Sequence, residues 1–279
     1  MKKALVNKII PFSNVDGPGN RTAIFFQGCP FACLYCHNPE TIHYCINCGT
    51  CVDKCPANAL SIVNEKVVWN KEACVDCDTC IKVCPHLSTP KTTEMTVQDI
   101  IDYIKPHIAF IEGITVSGGE CMIYADFLLD LFNEAKKLGL TCLIDSNGVV
   151  DFERYEELLK VSDGVMLDVK ASDEYFHYEI CQYNNISVKL NLDYLQSKNK
   201  LVEVRTVLLP NQDAQNEATV TYVSQHLNDG IPYKLLRFRP YGVRSVGIEY
   251  FGNESVSENY AEKFKKVVLD NGHSDIIIV

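Results

Sequence analysis

Gly28-Cys29-Pro30-Phe31-Ala32-Cys33-Leu34-Tyr35-Cys36-His37-Asn38-Pro39 places three cysteines in CxxxCxxC spacing directly after the apolar run Ile24-Phe25-Phe26. Thiolates ligate soft metals, and a four-iron cluster normally takes four cysteines. Three leave one iron open to a substrate, much as catalytic zinc keeps an open position. Taken alone, the spacing also suits a zinc knuckle or three unrelated buried cysteines.

Eight further cysteines form an internal repeat, Cys45-x2-Cys48-x2-Cys51-x3-Cys55-Pro56 and Cys74-x2-Cys77-x2-Cys80-x3-Cys84-Pro85. Both runs match the bacterial two-cluster ferredoxin pattern, in which the fourth cysteine of each run ligates the other run's cluster. By that rule Cys45, Cys48, Cys51 and Cys84 hold one four-iron cluster, and Cys74, Cys77, Cys80 and Cys55 hold a second. Three [4Fe-4S] clusters are therefore expected. Cys121, Cys142 and Cys181 stand outside the runs and read as small buried hydrophobes.

The chain offers little to nucleic acid or membrane. A formal net charge of -10 over 279 residues disfavours counterion-release binding, and no Lys/Arg cluster offsets it locally. No stretch approaches the ~18 apolar residues of a membrane span. Met1–Lys8 lacks the apolar core and cleavage pattern of a signal peptide, so a cytoplasmic location is expected. Without a secretory signal, 14 cysteines point to metal rather than to a disulfide scaffold.

Positioning these residues requires strands that end where the polar motifs begin. Leu5–Pro11 reads as a short opening strand, followed by a Gly-Pro-Gly turn at 17–19. Thr22–Gln27 is mostly apolar, as in a parallel sheet covered on both faces, and the Cys29 run lies just beyond its end. Residues 41–92 form a self-contained insert with a hairpin at 59–63 and 66–69. Thereafter helices and strands alternate. Helices are predicted at 96–111 (N-capped by Thr96), 127–138, 152–159, 188–196, 217–227 and 257–270. Strands are predicted at 114–116, 141–144, 165–167, 201–209 and 233–238. About six strand–helix units lie outside the insert, whereas a full eight-stranded barrel takes ~250 residues. The expectation is an α/β partial, open (β/α)6 barrel over 1–40 and 93–279, carrying the ferredoxin-like insert. Parallel barrels place active sites at the C-terminal strand ends. Ser117 to Glu120, Asp145, Asp168, Lys170 and Arg205 are therefore expected to share one cleft with Cys29, Cys33 and Cys36. This mixed-charge cleft would suit a zwitterion carrying a carboxylate, an amine and a cationic sulfur, with Glu120 meeting the ammonium group.

The cysteine run, Val15-Asp16-Gly17-Pro18-Gly19-Asn20-Arg21, Ser117-Gly118-Gly119-Glu120, Asp145-Ser146-Asn147-Gly148 and Met166-Leu167-Asp168-Val169-Lys170 together resemble the radical SAM enzymes that activate glycyl-radical enzymes. The match runs the whole length, with the insert resembling the larger activases. Ile9-Ile10-Pro11-Phe12-Ser13 and Phe110 to Ser117 look closest to the YjjW type. The resemblance implies that S-adenosylmethionine chelates the open iron of the Cys29/Cys33/Cys36 cluster. Tyr35 and His37 would lie near its adenosyl part, and Gly118, Gly119 and Glu120 at its methionyl part. It further implies cofactor contacts at Val169, Lys170 and Arg205, and a monovalent cation beside Asp145 and Asp168. Arg239 stands where many relatives have a cofactor-contacting histidine. The Asp16 turn and Arg21 are implied to face the partner. The implied partners are a glycyl-radical enzyme as protein substrate and a low-potential electron donor such as flavodoxin or ferredoxin. Two rival readings are a radical SAM enzyme for a small molecule, which an additional substrate domain would mark, and a non-enzymatic electron carrier, which leaves the three-cysteine run unexplained.

Overall fold

The computed structural model describes residues 2–279. Eleven strands build two sheets: β1 Lys3–Ser13, β2 Arg21–Phe26, β3 Leu60–Val63, β4 Lys66–Trp69, β5 Thr93–Thr96, β6 Gly113–Gly118, β7 Thr141–Ser146, β8 Gly164–Asp168, β9 Leu201–Leu208, β10 Tyr233–Arg237 and β11 Ile276–Ile278. The large sheet runs β11-β10-β9-β8-β7-β6-β2-β1-β5. From β2 through β6, β7, β8, β9 and β10 to β11 every pairing is parallel, whereas β1 joins β2, and β5 joins β1, antiparallel. The six expected parallel strands are thus present. Residues from their ends wall one cavity, so the sheet curls around it, and β5 and β11 are its two edges.

Parallel strands covered on both faces read as apolar runs. Ala23, Ile24, Phe26, Ile114, Val116, Val165, Met166 and Leu167 accordingly have 0% exposure. Helix Ala125–Lys137 presents Phe127, Leu128, Leu131, Phe132 and Ala135 to this core, at the i, i+3, i+4 spacing of an amphipathic helix.

Several elements depart from the sequence reading. The helix expected over 96–111 runs only over Val97–Ile104, because Pro106 cannot continue the hydrogen-bond ladder and Lys105–Phe110 tightens to a 3-10 helix. Its start is as expected: Thr96 accepts from the backbone N–H of Asp99, and Asp99 reaches back to the backbone N–H of Thr96. The polar strand β5 owes its place to backbone pairing with β1 rather than to its own sequence. Helices Glu174–Cys181 and Ser245–Phe251 and the three-residue β11 were not anticipated. The aromatic-rich sequence of the first masks its apolar period, and the other two are short segments fixed by tertiary contact.

Between Ile42 and Thr93 the chain leaves the large sheet. Its β3–β4 hairpin pairs Leu60 with Trp69 and Val63 with Lys66, and a small core gathers Cys51, Leu60 and Cys80.

Candidate active site

The loop after β2 is closed by backbone bonds at its neck. Gly28 N donates to Thr41 O (2.8 Å), and Cys29 N donates to Ile42 O (2.9 Å). Next to this neck, Gly119 N donates to Phe26 O (2.9 Å) and Glu120 N to Gly28 O (2.8 Å). This close approach demands glycine. A Cβ on Gly119 would lie 2.3 Å from Gly28 O, and Gly118, at φ +127°, would put one 2.2 Å from Phe26 N.

A cavity of about 330 Å³ opens over the C-terminal strand ends, within the ~300–1,000 Å³ typical of small-molecule sites. Its wall brings together Cys29, Cys33, Tyr35, Cys36, His37, Gly118, Gly119, Asp145, Asp168, Lys170 and Arg205. Arg205 Nη1 donates to Asp145 Oδ1 at 3.1 Å and its Nε to Glu203 Oε1 at 2.5 Å; Lys234 Nζ holds Glu203 Oε2 at 2.6 Å. Lys170 Nζ donates to Asp168 Oδ2 at 2.9 Å and stands 5.8 Å from the Tyr35 ring centroid. Burial opposes the charge of Arg205, but Asp145, Asp168 and Glu203 overcome it and hold the guanidinium above its ordinary range. The Lys170 ammonium is likewise held up by Asp168 against burial. Burial pushes the Asp145 carboxyl upward, with Arg205 pulling the other way.

Three residues expected at the ligand are off the wall. Glu120 is 1% exposed, and its carboxylate is spent inside the protein. Oε1 accepts from Met122 N (3.0 Å) and Ser146 Oγ (3.0 Å), and Oε2 accepts from Asn147 N (2.8 Å). Burial pushes its pKa up to about 7 against these donors. Val169 serves through its backbone, its N donating to Arg205 O at 2.9 Å. Arg239 accepts a hydrogen bond from His37 Nε2 at 2.9 Å through its carbonyl oxygen, whereas Arg237 reaches the cavity wall. Arg21, too, turns inward: it is 2% exposed and donates to Thr115 Oγ1 (2.8 Å) and Ile114 O (2.7 Å).

In the insert, two small cavities are each walled by four cysteines. One has Cys45, Cys48, Cys51 and Cys84; the other has Cys55, Cys74, Cys77 and Cys80. The fourth cysteine of each run has crossed to the other run's cavity. Cys121, Cys142 and Cys181 are fully buried.

A sequence profile described as the Radical SAM superfamily matches residues 23–223. The trans-4-hydroxy-L-proline dehydratase activating enzyme of Clostridioides difficile is 33% identical over 218 residues, 72% of this chain and 72% of that protein. The chain belongs to the glycyl-radical-enzyme activating enzymes of the radical SAM superfamily. The choline trimethylamine-lyase activating enzyme of Oleidesulfovibrio alaskensis is 28% identical over 296 residues, 96% of this chain and 95% of that protein. A Haemophilus influenzae relative, 34% identical over 170 residues, is covered over 47% of its own length. QueE from Escherichia coli shares the fold, with a TM-score of 0.52 at 13% identity over 99% of this chain and 94% of that one.

The cavity over the strand ends has the marks of a cofactor cradle. Three thiols face one cavity, Gly118 and Gly119 line it beside them, and Tyr35 Oη is buried there without a hydrogen-bond partner. Among the wall and support residues that escaped the sequence reading are Arg237, Asn147 and Arg244. Asn147 lies on the wall, its Nδ2 3.4 Å from Cys29 Sγ, and its place in Asp145-Ser146-Asn147-Gly148 was the available signal. Arg244 Nη2 donates to the carbonyls of Ala32 (2.9 Å) and Cys33 (3.1 Å), across more than two hundred residues, where no local pattern could flag it.

Proposed function

We propose that this chain binds S-adenosylmethionine over Cys29, Cys33 and Cys36 and installs a radical on a backbone glycine of a partner glycyl-radical enzyme. The observation that carries this reading is the single cavity uniting those three thiols with Gly118, Gly119, Asp168, Lys170 and Arg205. A reduced four-iron cluster there would supply the electron that splits the sulfonium into methionine and the 5'-deoxyadenosyl radical, which removes the glycine hydrogen. The chain's own residues bind and orient. Gly118 and Gly119 let the methionyl part approach the backbone, with Glu120 holding their loop from behind. Lys170 and Arg205 offer positive charge to a carboxylate, and Tyr35 and His37 lie at the adenosyl side. Asp145 and Asp168 are already paired with Arg205 and Lys170, so a monovalent cation at that place would bind in competition with these side chains.

The two four-cysteine cavities of the insert bring the proposed complement to three [4Fe-4S] clusters. A low-potential flavodoxin or ferredoxin is the proposed electron donor. The names of the relatives, which activate a dehydratase and a lyase, support a protein substrate. So does the open sheet, which is closed by no pairing of β5 with β11 among the described residues. Among those residues no helix is long and apolar enough to cross a membrane, and the net charge of -10 disfavours a nucleic-acid partner; the proposed location is the cytoplasm.

Mixing the anaerobically reduced chain, S-adenosylmethionine and the co-purified partner should give an electron paramagnetic resonance doublet split by one α-hydrogen. Deuterating that glycine should collapse the splitting and move deuterium into 5'-deoxyadenosine. Deuterium arriving instead from a labelled small metabolite, with no protein radical, would overturn the reading.

A further inference from the structure

Cys181, the last residue of helix Glu174–Cys181, sets its Sγ 3.5 Å from Cys33 Sγ. The backbone fixes this meeting. Ala32 N donates to Cys181 O at 2.9 Å, and Leu34 N donates to Ile180 O at 2.8 Å. Arg244 Nη2 also grips the carbonyls of Ala32 and Cys33. The segment carrying Cys33 is thus clamped against the helix end, and the two backbones cannot part without breaking several hydrogen bonds. The pair is buried, at 7% for Cys33 and 0% for Cys181, yet Cys33 also lines the cavity, so a small oxidant entering there reaches it.

We propose that Cys33 and Cys181 form a disulfide when dioxygen reaches a Cys29/Cys33/Cys36 site that is without its cluster. The sulfurs must close by about 1.5 Å to reach a disulfide bond of ~2.05 Å, a movement that side-chain torsions supply where the backbones already lie together. Each thiol gives up its hydrogen as the S–S bond forms, and the two electrons and two protons pass to dioxygen, yielding hydrogen peroxide. The bond withdraws one of three cluster ligands, so rebuilding waits on thiol exchange. It also keeps Cys33 off the irreversible sulfinic rung of oxidation. This consequence, though not the bond itself, rests on the reading of Cys33 as a cluster ligand.

The full chain is purified in air, its free thiols are alkylated in acid, and chymotryptic peptides are mapped by mass spectrometry without reductant. A peptide linking Cys33 to Cys181, two hydrogens lighter than its parts and lost on adding dithiothreitol, is expected. Recovery of Cys181 as the alkylated thiol, or Cys33 joined to Cys29 or Cys36, would overturn the proposal and leave the ligand assignment standing. Under added peroxide, Cys181→Ser should accumulate sulfinic acid on Cys33 at several times the wild-type level; equal levels would overturn the protective role. Because the linked peptide is sought in wild-type protein, misfolding of the variant cannot mask the result. A Cys33→Ala protein that kept its full iron content would instead defeat the ligand reading.

Discussion

Glu120 Oε2 accepts from the backbone N–H of Asn147 at 2.8 Å, and Asn147 Nδ2 stands 3.4 Å from Cys29 Sγ. The end of β6 thereby fixes what the end of β7 shows to the first cysteine of the run. Glu120→Ala would strand Met122 N, Asn147 N and the Ser146 hydroxyl. Each unpaired buried group costs ~1–3 kcal/mol, so a drop of several degrees in the anaerobic melting temperature is expected. A tenfold loss of S-adenosylmethionine affinity by calorimetry, with melting unchanged, would return Glu120 to a direct ligand contact.

Glu120 also makes a pH prediction. Its carboxyl is pushed by burial from 4.5 to about 7 in the folded protein. The folded chain therefore keeps a proton that the unfolded chain has lost between pH 4.5 and about 7, and stability falls as pH rises through that window. Infrared difference spectra should show one carboxylic-acid stretch vanishing near pH 7. Glu120→Gln should lack it and flatten the pH dependence of melting.

The largely buried chain Asp145–Arg205–Glu203–Lys234, in which the Lys234 side chain is 23% exposed, turns on the Arg205 cation. Arg205→Leu leaves Asp145 without its cation and Glu203 with Lys234 alone, and breaking a buried ion pair costs up to ~3–5 kcal/mol. Arg205→Lys should lose less, because it keeps the charge while giving up the fork. Comparing anaerobic melts with cofactor titrations separates the two losses: an Arg205→Leu protein as stable as wild type would show the network to be slack.

Cluster swapping in the insert is testable by iron content. Cys45→Ala and Cys84→Ala should each lose about four irons, and the double variant the same four, because both serve one cluster. Cys45→Ala with Cys55→Ala should lose about eight. Additive loss in the Cys45/Cys84 pair would refute the crossed assignment.

Gly247, on the helix whose neighbour Arg244 clamps the cysteine loop, has no room for a side chain. A Cβ there would lie 2.0 Å from Leu34 O. Gly247→Ala must push the helix or the loop aside, at ~1–3 kcal/mol, and should lower iron retention at the barrel site while sparing the insert. Unchanged iron content and unchanged melting would show that the loop yields freely.

The sequence alone determined whatever depends on near neighbours. Cysteine spacing is a local property, and it fixed the three-thiol run and the two ferredoxin-type repeats. Short apolar runs alternating with helical patterns did the same for the six parallel strands, and the polar motifs at their ends thereby placed Asp145, Asp168, Lys170 and Arg205 in one cleft. Only the tertiary structure decided how side chains were spent there. The carboxylate of Glu120 went to Ser146 and to two backbone N–H groups, because the β7 end is packed over it. Arg239 offers its carbonyl oxygen while Arg237 lines the cavity, because β10 ends at Arg237 and Arg239 lies in the loop beyond it. Cys181 read as an inert hydrophobe until the fold brought it across 148 positions to Cys33. Contacts at that separation carry no periodic signal, since each depends on where two remote backbones come to rest.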